Sequence, residues 1–195
     1  MKTVLAFLSC SAAALAASIP AQDASTQTFA TGAWRTDDTE IIFLGPPINA
    51  NGGKFYVNKP TATYCPLDDC SGFEGKDTTF VIGTDSTTMS LDVSVPGGQQ
   101  VYIAPDGTLS FTQAHSAYIP PGSIVTGFSR NASQETGAPF YLYSDLASWY
   151  LCPVTEGEPT TKVYQIYASD QDIVGCYDTR IRTYAPAEEN VWEYT

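Results

Sequence analysis

No stretch of this chain carries apolar residues at helical spacing over 11 residues. They come instead in short alternating bursts, and that periodicity is the strongest constraint on what the chain can fold into. Lys54-Phe55-Tyr56-Val57, Thr78-Thr79-Phe80-Val81-Ile82, Gln99-Gln100-Val101-Tyr102-Ile103, Thr108-Leu109-Ser110-Phe111, Ser148-Trp149-Tyr150-Leu151 and Val163-Tyr164-Gln165-Ile166-Tyr167 are typical. Each is rich in β-branched and aromatic residues, which suit a pleated, half-buried surface, and each is bounded by Gly, Pro, Asn or Asp. Similar runs at 40–44, 90–95, 140–143 and 180–184 complete the set. Ala104-Pro105-Asp106-Gly107 predicts a tight hairpin, because Pro presets its φ and Gly takes positive φ freely. Gly45-Pro46-Pro47 and Pro120-Pro121-Gly122 are expected in loops or at strand ends, since proline has no amide to donate to a ladder. The pattern predicts an all-β chain in one compact domain of about 10–12 short strands.

Three echoes suggest how those strands assemble. A small pair precedes an aromatic-aliphatic strand at Gly52-Gly53, Gly97-Gly98 and Ala147-Ser148, at intervals of 45 and 50 residues. Three four-strand units of this kind would make a β-trefoil-like barrel, the favoured arrangement. A two-sheet β-sandwich is the alternative that fits the same strand count.

Lys2 followed by the short apolar run 3–17, ending in small residues, predicts a secretory signal peptide over residues 1–16. Residues 17–27 then form a polar flexible arm, and 28–195 the single all-β domain. No run reaches the roughly 20 apolar residues that a membrane-spanning helix needs. Cys10 leaves with the signal peptide, so five cysteines become four: Cys65, Cys70, Cys152 and Cys176. An even number in an oxidising compartment predicts two disulfides, for which three connectivities are possible. Cys65 with Cys70, around the turn-like Pro66-Leu67-Asp68-Asp69, and Cys152 with Cys176, clipping two late strands, is the expected pairing. Their spacing does not suit a zinc knuckle. Asn131-Ala132-Ser133 makes Asn131 a glycosylation site on a surface loop.

Nine Lys and Arg against 21 Asp and Glu give a net charge of −12, which repels phosphate backbones and anionic lipid. Nucleic acid and membrane surfaces are therefore not expected partners. The sequence also offers no catalytic residue, cofactor site or metal site. His115 is the one histidine, no Gly-x-Ser-x-Gly elbow is present, and one imidazole supplies neither a triad nor a His-based metal centre by itself. The acids at 37, 38, 40, 68, 69, 156, 158, 170, 172, 188 and 189 stand beside turn residues or chain ends, which is where solvated carboxylates belong. Asp92 is the clearest acid in mid-strand. Among the aromatics, Phe55, Tyr102, Phe111, Trp149 and Tyr164 are expected in the core, and Trp34 and Trp192 nearer the surface.

Residues 91–123, from Leu91-Asp92-Val93-Ser94-Val95-Pro96-Gly97-Gly98 through the hairpin to Ala117-Tyr118-Ile119-Pro120-Pro121-Gly122-Ser123, resemble the central block of the fungal cell-wall PhiA family. Ile48-Asn49-Ala50-Asn51-Gly52-Gly53 with Thr63-Tyr64-Cys65-Pro66 resembles its first block, and Trp149-Tyr150-Leu151-Cys152-Pro153 with Tyr164-Gln165-Ile166-Tyr167 its later one. The resemblance runs from about Phe29 to Cys176 and departs from the family around 68–76 and 129–139, and the acidic tail after Tyr184 is expected to be this chain's own. It implies a secreted, wall-associated, non-catalytic protein linked to phialide and conidium development or wall organisation, in a family with IgE-binding allergen members. Wall polysaccharide or wall proteins are the implied partners. A lectin-like polysaccharide-binding module is the alternative, and a small secreted glycosidase a third reading.

Overall fold

The computed structural model describes residues 28–36, 41–83, 87–132, 140–158, 160–186 and 190–195. The signal peptide, the arm, Asp37, Asp38, Glu40, Glu188 and Glu189 lie outside these residues. Fourteen strands and no helix occur among the described residues. In chain order they are β1 Thr28–Arg35, β2 Phe43–Asn51, β3 Lys54–Val57, β4 Thr63–Tyr64, β5 Thr79–Ile82, β6 Met89–Leu91 and β7 Gln99–Ile103, followed by β8 Leu109–Phe111, β9 Phe128–Ala132, β10 Phe140–Ser144, β11 Ser148–Pro153, β12 Tyr164–Ser169, β13 Tyr177–Tyr184 and β14 Glu193–Tyr194. The all-β expectation holds.

Antiparallel pairing runs β1-β5-β6-β7-β8-β3-β12-β11-β13 and returns from β13 to β1, closing a nine-strand barrel. β2 braces it by pairing with both β1 and β3, β10 and β9 extend it from β13, and β14 with β4 forms a separate small ribbon. The three echoed strands have unlike partners. β3 pairs with β2, β8 and β12, β7 with β6 and β8, and β11 with β12 and β13. The ladder therefore does not repeat threefold as a trefoil would, and it runs as one closed ring through strands that a sandwich would divide between two sheets.

Alternation along the strands fills the ring. Gln99, Val101 and Ile103 of β7 are buried between the less buried Gln100 and Tyr102, and Thr179, Ile181 and Thr183 of β13 alternate with Asp178, Arg180 and Arg182 in the same way. The interior is largely aromatic. Phe29 stacks on Phe80, which meets Phe55, which meets Phe111, with centroids 5.2–5.8 Å apart, and Phe43 stands edge-on to Tyr164. Such contacts add to the burial of large apolar rings. Of the expected core aromatics, Phe55, Phe111, Trp149 and Tyr164 are buried and Tyr102 is partly exposed.

The hairpin forms as read: Val101 faces Phe111 and Ile103 faces Leu109, Gly107 has φ +84° and its amide bonds to Ala104 O, and the Asp106 carboxylate accepts the Thr108 amide. Gly45-Pro46-Pro47 departs from expectation, because it lies inside β2. The physical reason is a bulge. Between the pairs Gly32–Pro47 and Trp34–Leu44, β2 spends one residue more than β1, and Gly45 takes φ +94°, so the two prolines need no regular ladder bonds there.

Candidate functional site

Four segments meet at a cleft of about 570 Å³ beside the β4–β14 ribbon. The Gly52-Gly53 turn between β2 and β3, Tyr64 and Pro66 at the Cys65–Cys70 loop, Phe111 at the end of β8 with Gln113, Ala114 and His115 after it, and Glu193 to Thr195 line it. Backbone bonds hold the segments together: the Gly52 amide donates to Thr195 O, the Thr195 amide to Ala62 O and the Phe111 amide to Gly53 O. From the barrel, buried Gln99 reaches out and treats Tyr194 as a neighbouring strand would. Its carbonyl oxygen accepts the Tyr194 amide at 2.8 Å, and its amide donates to Tyr194 O at 2.9 Å and to Thr112 O at 3.0 Å. Tyr194 is buried, and its hydroxyl donates to Asp77 O and accepts from the Thr79 amide. Burial, outweighing those bonds, raises its pKa above the ordinary phenol value.

The rim of this cleft offers one well-exposed ring, Tyr64, and four polar side chains, Gln113, His115, Glu193 and Thr195. His115 is exposed and has φ +60°, a left-handed conformation uncommon for a residue with a side chain. It sits in a turn closed by the Ser116 amide on Gln113 O. Among the described lining residues Glu193 is the one side-chain carboxylate, where glycoside hydrolysis uses a pair.

A second cleft, of about 530 Å³, does hold two acids, Asp106 and Asp170. Burial pushes the Asp106 pKa upward, but the bonds from Thr108 and the charge of Lys54 outweigh it and hold the carboxyl below its ordinary value. That is the opposite of what a general acid needs. Asp68, Asp69, Glu156, Glu158, Asp170 and Asp172 are exposed. Asp92 is exposed too and falls just after β6 rather than within a strand, its amide bonded to Thr79 O.

The surface aromatics differ from expectation. Trp34 is half-buried beneath the Arg182 guanidinium, and Trp192 is half-buried edge-on to Phe73. The well-exposed rings are instead Tyr64, Tyr118, Phe140, Tyr143 and Tyr184, and no periodicity in the sequence distinguishes these from core rings. Cys65 is bonded to Cys70, and Cys152 on β11 to Cys176, the residue before β13. Asn131 is exposed on β9, the last strand of the sheet order, rather than in a loop.

Two disulfides and a closed all-β barrel define a small disulfide-stabilised β-barrel protein. The chain belongs to the PhiA-like secreted protein family, which it matches over residues 29–195. The match extends beyond Cys176, the expected end of the resemblance, through the C-terminal segment, where Val191 and Tyr194 are buried in the core. It is also similar to an uncharacterized secreted protein of Arthroderma benhamiae, 35% identical over 159 residues that cover 76% of this chain and 77% of that protein. No solved structure matches the chain.

Proposed function

We propose that this secreted protein is wall-associated and non-catalytic, that it acts in wall organisation during phialide and conidium development, and that it holds neutral wall polysaccharide in the Tyr64 cleft. The observation that carries the reading is the composition of that cleft. An exposed ring can stack on the apolar face of a pyranose, four hydrogen-bonding side chains line the cleft with it, and among the described lining residues one side-chain carboxylate, Glu193, stands where hydrolysis needs two. Family membership supports secretion, and a disulfide loop at the rim suits an extracellular site.

The test is retention of the mature protein on insoluble chitin, β-glucan and mannan, with the soluble forms assayed for released sugar. Retention on one polymer without product is expected, and Tyr64→Ala should weaken it about tenfold, equivalent to about 1.4 kcal/mol. Released sugar would overturn the non-catalytic reading, and retention unchanged in Tyr64→Ala would remove the cleft from it.

A further inference from the structure

All four arginines of the chain, Arg35, Arg130, Arg180 and Arg182, stand on β1, β9 and β13. These strands belong to one continuous stretch of sheet, β1-β13-β10-β9, in a chain whose net charge is −12. Alternation sends Ile181 and Thr183 into the barrel and turns Arg180 and Arg182 outward. Cross-strand pairing sets Trp34 beside Arg180 and Tyr141 beside Arg182.

The Arg182 guanidinium lies 3.4 Å from the centroid of the Trp34 ring, and its Nε donates to the Tyr141 hydroxyl at 3.3 Å. Arg180 lies 5.8 Å from the Tyr141 ring centroid. Tyr143, 43% exposed, stands edge-on to Tyr141 at the side of the cluster. Arg35 pairs with Asp178, and among the described residues no carboxylate meets Arg182. Among the described residues Trp34 and Tyr141 orient Arg182, and its two terminal nitrogens keep the planar fork that matches a carboxylate.

We propose that this outer face binds a polysaccharide with sparse uronic acid residues, the uronate carboxylate on Arg182 and an adjoining pyranose against the ring of Tyr143. Charge complementarity selects the occupant. A guanidinium with no carboxylate partner among the described residues favours an anion, whereas the net charge of −12 repels a densely charged polyanion such as nucleic acid, whose many phosphates come within the Debye length of about 8 Å of the protein's acids. The face is an open sheet rather than a pocket, which suits an extended polymer whose repeats add avidity to a weak single contact. This site is separate from the Tyr64 cleft and does not rest on it.

The experiment is affinity electrophoresis or calorimetry of the mature protein with glucuronoxylan, a neutral xylan backbone carrying uronate branches, at low and physiological salt. The same polymer with its carboxyl groups reduced, and duplex DNA, are the comparisons. Binding to glucuronoxylan should weaken with salt and be lost on carboxyl reduction. It should fall about tenfold in Arg182→Ala and by a similar factor in Arg182→Lys, which keeps the charge and the stem over Trp34 but not the fork. These measurements are made in the Tyr64→Ala background, so that the cleft makes no contribution, and there Tyr143→Ala, an exposed change, should weaken binding several-fold. Equal binding of the reduced polymer, tighter binding of DNA, full binding by Arg182→Lys, or no binding at low salt would each overturn the proposal.

Discussion

Tyr194 and Gln99 illustrate how single polar groups fasten the periphery to the barrel. The Tyr194 hydroxyl serves a carbonyl and an amide at once, Asp77 O and the Thr79 amide, so Tyr194→Phe leaves both without that partner in a buried place. A loss of about 1–3 kcal/mol is expected from urea denaturation at neutral pH. The pH dependence has a definite sign. Burial raises the folded-state pKa above the phenol value of 10.0, so the contribution is fully present below pH 10 and is lost as pH rises through the folded value. Tyr194→Phe should therefore lose stability less steeply above pH 10 than the parent protein, and parallel alkaline limbs for the two would refute the assignment.

At the level of elements, the hairpin between β7 and β8 and the bulge in β2 use local chemistry in opposite ways. In the hairpin, Asp106 accepts the Thr108 amide, and its carboxyl sits below the ordinary 3.8. A depressed carboxyl stabilises above its unfolded pKa and loses that contribution as pH falls through the folded value, so the effect belongs to the range below about pH 4. Because Asp106 is exposed, the electrostatic part is small. Asp106→Asn keeps the acceptor and should hold neutral-pH stability while flattening the acid limb of a pH–stability profile. Asp106→Ala should lose about 1 kcal/mol at neutral pH as well. In the bulge, the constraint is contact rather than charge. A Cβ on Gly32 would lie 2.8 Å from Gly45 O and 3.1 Å from the Tyr184 ring, so the close approach of β1, β2 and β13 there depends on a residue without a side chain.

For the whole molecule, the barrel exists because β13, near the end of the chain, returns to β1, near its start. Cys152–Cys176 ties β11 to the residue just before β13, the strand that forms that seam with β1. Removing it as Cys152→Ala with Cys176→Ala should cost about 2–4 kcal/mol. For a chain of this size that corresponds to a fall in Tm of roughly 10 °C. The Cys65–Cys70 loop closes only a short segment at the cleft rim, so its loss should affect polysaccharide retention more than Tm. A scanning-calorimetry comparison of the two double variants separates these roles, and equal shifts in Tm would contradict the distinction.

Short-range features were legible because their causes are local. The alternation at 99–103 and 109–111 and the Pro-Asp-Gly turn between them specify a hairpin from neighbouring residues alone, and the burst-and-turn rhythm excludes helices in the same way. Other features depend on partners distant in the chain. Gly45-Pro46-Pro47 reads as a loop until Gly32 and Tyr184 pack against it, and Trp34 reads as a surface ring until Arg182, 148 positions away in sequence, covers it. The 45–50-residue echoes suggested threefold order, yet closure is set by which edge each strand meets, and side-chain alternation carries no information about edges. The cleft follows the same rule. Tyr64, Gln113, His115 and Glu193 come from three separate segments, and what brings them together is Gln99 holding Tyr194, a contact across 95 residues of chain.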